Sequence, residues 1–203
     1  MAARPATAKG RETRTRIVGA TAELVAERGV AGTSLDDVRA RADVSKSQLY
    51  HYFADRDDLM RAVARAASDQ VVAGQSELFA RLDTIEGLRH WADALVALQA
   101  ERGAKGGCPI GSLAGQLAER DEGARLELAD GMARWESAIR DGLERMAARG
   151  ELQPDADPRV LAQRTLAAVQ GGLVLTQIRR DPHQLRSALD GALDTILAAR
   201  LDR

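Results

Sequence analysis

Apolar residues in this chain recur at intervals of three and four, and no run of about four to eight β-branched residues alternates as a strand would, so the fold class is all-α. Capping signals then divide the chain. A first helix runs from about Glu12 to Arg28, with Ile17, Ala20, Leu24 and Val25 on one face and Gly29 placed to end it. Ser34, with Asp37 three residues on, opens a helix of two turns from Leu35 to about Ala42. Ser45 and Gln48 match the Ser-x-x-Gln capping box, and the helix they open carries Leu49, Tyr50, His51, Tyr52 and Phe53. Asp55 with Asp58 starts a fourth helix through Leu59, Met60 and Val63 to about Gly74.

The rest of the chain carries fewer signals. Asp83 with Glu86 starts a helix that passes Trp91, Leu95 and Leu98 and fades at Gly103. Gly106 to Leu113 reads as a break and a new helix, with Cys108 at the cap position and Pro109 at the first helical position. A longer helix runs from about Asp121 through Leu126, Trp135, Ile139 and Leu143 to Arg149, with Gly150 beyond it. Asp157-Pro158 and Asp181-Pro182 are matching helix starts, each an Asp cap before Pro. The helix after Pro158 presents Val160, Leu161, Leu166, Val169, Leu173 and Ile178, and the one after Pro182 presents Leu185, Leu189, Leu193, Ile196 and Leu197. Gly171 and Gly172 inside the first of these cost about 1 kcal/mol each relative to Ala, which points to close helix approach or a kink.

Charge and composition exclude several classes. Lys plus Arg 29 against Asp plus Glu 30 leaves a net charge of -1 over 203 residues, so any nucleic-acid contact is local rather than a bulk coating. The basic excess sits at the start of the chain, where Arg4, Lys9, Arg11, Arg14 and Arg16 face Glu12 alone. That segment reads as a solvated tail, or as a tail that also touches phosphates. One cysteine and three scattered histidines supply neither a disulfide framework nor a metal-ligand pair, and no cofactor is expected. No apolar stretch has the length of a membrane span, Met1 to Arg16 lacks the apolar core of a signal peptide, and a cytoplasmic protein is expected. Nothing places a nucleophile beside its base or pairs two carboxylates, so no enzyme is expected.

Two short helices joined at Asp43-Val44, after a longer helix able to cover them, have the spacing of a helix-turn-helix, whose second helix reads DNA. Tyr50, Tyr52 and Phe53 are half of all the aromatic residues, so this helix is unusual in composition. Leu49 and Phe53, four apart, share a face and are assigned to the core, while Tyr50 and His51 leave it. Tyrosine and histidine donate to phosphate oxygens, and Lys46, Ser47 and Gln48 at the helix start reach base edges in a major groove.

Residues 33–59 resemble the DNA-binding domain of the TetR-family (tetracycline-repressor-like) regulators. The resemblance rests on Thr33 at a helix-cap position, the Ala-x-Val-Ser stretch from Ala42 to Ser45, the Leu-Tyr-x-Tyr-Phe run, and Arg56 followed by Leu59. It implies that Thr33, Tyr50 and Arg56 touch phosphates and that Lys46, Ser47, Gln48 and His51 face the groove, with Ser45 opening the reading helix. The family usually has glycine at the Asp43 position and lysine at the Arg56 position. Asp is among the residues that tolerate a left-handed turn, and Arg keeps a phosphate role.

The resemblance further implies a basic flexible tail over 1–10, a helix-turn-helix domain over 11–56, and a helical ligand-binding and dimerisation domain over 57–203. Gly-Cys-Pro-Ile-Gly-Ser-Leu is similar to a motif in one branch of the family that includes repressors of multidrug-resistance operons. His90, Trp91, Cys108, Met132 and Trp135 are candidate lining of an effector pocket, or plain core. Cys108 at a helix start is either a thiol able to sense oxidants or electrophiles, or a small residue that fits a tight turn. Leu166, Val169, Leu173, Leu189, Leu193 and Ile196 either pack within the subunit or, as the resemblance implies, pair with their copies in a four-helix dimer interface. A homodimer carries two reading helices, so the expected partner is a palindromic double-stranded DNA operator, from which a small-molecule effector releases a repressor. A helical adaptor without specific DNA binding is the rival class.

Overall fold

The computed structural model describes residues 7–201. Those residues form ten helices and no strand: α1 (Ala8–Arg28), α2 (Leu35–Ala42), α3 (Lys46–Tyr52), α4 (Arg56–Ala73), α5 (Ser76–Phe79), α6 (Ile85–Glu101), α7 (Pro109–Leu117), α8 (Glu122–Ala148), α9 (Pro158–Arg179) and α10 (His183–Ala198). They pack as two compact units. One is the chain up to Gln70 together with Ser112–Gly131, and the other is Val71–Gly111 together with the chain from Met132 onward. The first unit thus extends beyond the 11–56 segment expected from sequence, and α4, α7 and α8 each contribute residues to both units.

In the first unit α1 packs on α2, and Ile17, Leu24, Val38, Leu49, Phe53, Leu59, Met60 and Val63 are all buried. The α1 helix starts earlier than its apolar stripe, because the Thr7 hydroxyl accepts from Gly10 N at 3.1 Å and caps it. Lys9 and Gly10, expected in a flexible tail, are therefore helical, while Arg4 lies outside the described residues. Ser34 and Asp37 form a reciprocal capping box at α2, and hydrogen bonds from the Ser34 hydroxyl and amide hold the Asp37 carboxyl below its ordinary pKa. Ser34, not Thr33, is thus the cap. Asp55 accepts from Asp58 N at 2.7 Å and Asp58 from Ala54 N at 3.1 Å, which fixes the start of α4.

The second unit holds α5, α6, α9, α10, the beginning of α7 and most of α8. Thr84 rather than Asp83 caps α6, accepting from Gly87 N at 3.0 Å, while Asp83 pairs with Arg149 at 3.2 Å and Arg145 at 3.6 Å. Asp157 caps α9. At α10 the cap position is Pro182, and Asp181 still accepts from His183 N at 3.0 Å. The single turn α5 has no sequence signal strong enough to announce it. An isolated bridge between Leu152 and Arg200 ties the α8–α9 connection to the end of α10.

Of the paired glycines in α9, only Gly172 is a close-approach position. A Cβ there would lie 2.9 Å from Leu185 Cδ1 and 3.0 Å from Ala188 Cβ on α10, whereas Gly171 faces open space. Gly172→Ala is expected to destabilise the protein by about 1–3 kcal/mol in urea unfolding by forcing α9 and α10 apart. Gly19→Ala, on the exposed side of α1 with nothing within 4 Å, is expected to raise stability by about 0.5–1 kcal/mol in the same assay.

Candidate nucleic-acid interface

A seven-residue helix has too few internal hydrogen bonds to hold itself, so α3 is placed by its caps and its buried face. Its N-terminus is closed by a reciprocal box in which Ser45 Oγ accepts from Gln48 N at 3.1 Å and Gln48 Oε1 accepts from Ser45 N at 2.8 Å. Leu49 and Phe53 are 1% and 2% exposed and anchor its apolar side, while the Arg14 guanidinium lies 5.0 Å over the Phe53 ring. The turn into α3 needs a left-handed residue, and Asp43 supplies it at φ 48 and ψ 60, closed by Val44 N donating to Arg39 O at 3.1 Å. Arg16 Nε donates to Ala42 O at 2.9 Å and satisfies the end of α2. Arg14 and Arg16, counted in the N-terminal basic excess, thus act inside the unit.

The opposite side of α3 faces solvent. Ser45, Lys46, Ser47, Gln48, Tyr50 and His51 are all exposed, and Tyr50 shows 47% of its surface. Within this set Gln48 is constrained, because its side-chain oxygen already accepts the cap hydrogen bond from Ser45 N, leaving its amide N–H₂ group free to donate to a base edge. Ser47 Oγ lies 3.0 Å from Ser45 Oγ. His51 stacks edge-on against Tyr52, with ring centroids 4.9 Å apart.

Two residues expected at phosphates make hydrogen bonds within the protein. Thr33 is 3% exposed and its hydroxyl donates to Gly29 O at 2.9 Å. Arg56 Nη2 donates to Val30 O and, at 3.4 Å, to Thr33 O, so its guanidinium clamps the α1–α2 turn. Gln116 on α7, which no local pattern marks, accepts from Val30 N at 2.8 Å in the same turn.

The residues expected around an effector are all in the second unit, but the structure treats them differently. His90 is exposed in a shallow depression with Arg81, Thr84, Glu86, Arg89 and Asp93, so it does not face an interior. Trp91 is buried and donates its indole N–H to Gln75 Oε1 at 2.9 Å, which gives it a structural role. Met132 is half-buried. Trp135 is buried, and its indole N–H has no acceptor among the described residues. Cys108 is 7% exposed, and burial pushes its thiol pKa up despite opposing hydrogen bonds from Gly111, Gln170 and Ile110. That environment disfavours the thiolate and with it the sensor reading. Among the described residues no group of three or more His, Cys, Asp or Glu is placed to hold a metal ion.

The six residues expected at a dimer interface are all buried within the chain, with Val169 and Ile196 at 0% exposure. They pack α9 and α10 inside the unit, because an apolar stripe read from spacing is first used by the nearest helix. The large apolar side chains left exposed on α9 are Val174 at 53%, Leu175 at 42% and Ile178 at 71%.

Residues 17–63 match the family model for bacterial regulatory proteins of the tetR family, and residues 84–192 match that of the tetracyclin repressor-like C-terminal domain. The chain belongs to the TetR family. A helix-turn-helix regulator from Lactococcus lactis subsp. lactis is 27% identical over 185 residues, covering 89% of this chain and 91% of that protein. The repressor DhaR from Mycobacterium sp. (strain GP1) is 23% identical, covering 93% of this chain and 92% of its own. A TetR transcriptional regulator from Chloroflexus aurantiacus superposes with a TM-score of 0.77 at 28% identity, covering 97% of this chain and all of that one. This TetR-family chain is a helix-turn-helix transcriptional regulator. No described helix is long and apolar enough to cross a membrane.

Two outcomes follow from the inward-facing groups. Arg56→Ala is expected to weaken DNA binding while leaving the salt dependence of affinity unchanged, whereas a phosphate contact would lower that slope by about one. Cys108 is expected to alkylate with iodoacetamide at about pH 8 far more slowly in the native protein than in the urea-unfolded chain.

Proposed function

We propose that the protein is a repressor that binds a palindromic operator as a homodimer and leaves it when a small molecule binds. The observation that carries this reading is the two-sided α3, whose apolar face is buried while Lys46, Ser47, Gln48, Tyr50 and His51 stand in solvent. In it Lys46, Ser47 and the amide of Gln48 read base edges, and Tyr50 and His51 hold phosphates. Ser45 sets the start of the helix.

The dimer face is assigned to the exposed side of α9. Ala167, Gly171, Val174, Leu175 and Ile178 are all exposed at helical spacing, a surface whose apolar side chains gain by meeting a copy of themselves. Regulators of this family usually act as dimers. The effector site is assigned to the second unit, where Trp135 offers an unsatisfied buried donor and Met132 adaptable apolar surface. Cys108, in the Gly-Cys-Pro-Ile-Gly-Ser-Leu stretch that marks a branch of the family, serves as a small buried group at the start of α7. An effector acts only through its differential affinity for the DNA-competent and released conformers.

Selection of bound duplexes from a random DNA pool at near-physiological salt tests the reading. A palindromic consensus supports it, and recovery of no consensus overturns it in favour of an adaptor. Ile178→Glu is expected to shift the protein to monomer in sedimentation and to weaken operator binding by tenfold or more, on the order expected for an unpaired charge at an apolar interface.

A further inference from the structure

The turn between α1 and α2 needs more partners than the turn itself contains. Gly29 ends α1 at φ 74 and ψ 169, a positive-φ extended conformation open essentially to glycine that directs the following peptide away from the helix. Val30 is 6% exposed, so its N–H and C=O have little access to water and each needs a partner. Within the turn, Thr33 N donates to Val30 O at 3.3 Å and the Thr33 hydroxyl donates to Gly29 O. Arg56, the first residue of α4, adds a second donor to Val30 O. Among the described residues the Val30 N–H finds its acceptor outside the helix-turn-helix, in Gln116 Oε1 at 2.8 Å.

Gln116 is held in turn. Its Nε2 donates to Ser112 O at 3.1 Å, one turn back along α7, which aims the carbonyl oxygen outward at the turn. A Cβ on Gly29 would lie 3.1 Å from the same oxygen, so the lack of a side chain at Gly29 serves this approach as well as the positive φ. Residues 112–131 are bound to the same unit by Asp121 with Arg61 at 3.5 Å, by the Glu127–Arg65 pair, and by Ser68 Oγ donating to Glu127 O at 3.3 Å.

We infer that Gln116, remote in sequence from the helix-turn-helix and within the segment matched as the C-terminal domain, is a positioning residue for DNA recognition. It fixes the Val30 peptide, Val30 and Arg56 fix the turn that aims α2, and α2 carries the Asp43 turn from which α3 projects. The inference rests on the DNA-binding reading above.

The test uses full-length protein and the best duplex recovered by selection. Gln116→Met keeps side-chain length and removes the acceptor, and is expected to lower affinity roughly tenfold, as loss of the partner of a buried N–H does. Gln116→Glu keeps an acceptor oxygen at the same reach while losing the Nε2 donor to Ser112 O, and is expected to restore part of that loss, which a role in side-chain packing alone would not do. In the wild type the Val30 amide is expected to be protected from hydrogen exchange, and the same amide to exchange faster in Gln116→Met. Equal affinity of wild type and Gln116→Met overturns the positioning role, as does a Gln116→Glu protein as weak as Gln116→Met. Rapid exchange of Val30 in the wild type overturns it without any variant. A wild type that enriches no sequence overturns the DNA-binding reading itself.

Discussion

Burial of Leu49 and Phe53 is the interaction on which the recognition surface depends. The α3 helix has only seven residues, fewer than an isolated helix needs to persist in water, so its order is borrowed from the core beneath it. Each of these side chains contributes about 1.5–3 kcal/mol when fully buried. Because they sit four apart, burying them turns Ser47, Tyr50 and His51 outward, while Lys46, three residues before Leu49, is exposed as the first residue of the helix. Structure and reading surface are two sides of one helix.

The same dependence on neighbours recurs in the polar groups. Ser34 with Asp37 and Ser45 with Gln48 satisfy helix starts from within their own elements. The end of α2 and the α1–α2 turn are satisfied from afar, by Arg16, Arg56 and Gln116. Local caps set where helices begin, while distant side chains set how those helices are held to one another. In the second unit the equivalent constraint is steric, since Gly172 lets α9 meet Leu185 and Ala188 of α10 in direct contact.

Legibility in the sequence follows this division. The caps at Ser34, Ser45, Asp55 and Asp157, the left-handed Asp43, and the split of Leu49 and Phe53 from Tyr50 and His51 were all readable, because each depends on residues a few positions apart. Two caps were misplaced by one residue: Thr84 serves α6 in place of Asp83, and Pro182 stands at the α10 cap position in place of Asp181. The family resemblance places Arg56 and Thr33 at phosphates, and only tertiary structure shows that both also hydrogen-bond to carbonyls of the α1–α2 turn. Leu166, Val169, Leu173, Leu189, Leu193 and Ile196 are legible as an apolar stripe open to either an internal or an intersubunit partner, and in the structure they are buried within the chain. Periodicity gives the stripe, and only packing says which of two available surfaces takes it.

The sequence by itself determined an all-α chain, its major helix boundaries, the helix-turn-helix spacing and the outward residues of α3. These rest on helical period and capping chemistry, which act over one or two turns of chain. Tertiary structure alone decided that Gln116 completes the α1–α2 turn, that Trp91 is tied to Gln75, that Cys108 is a buried thiol, and that Val174, Leu175 and Ile178 are the large apolar side chains α9 leaves open. Each is a matter of which group lies next to another across many residues of chain, and burial then makes the pairing obligatory because a polar atom removed from water must find a partner.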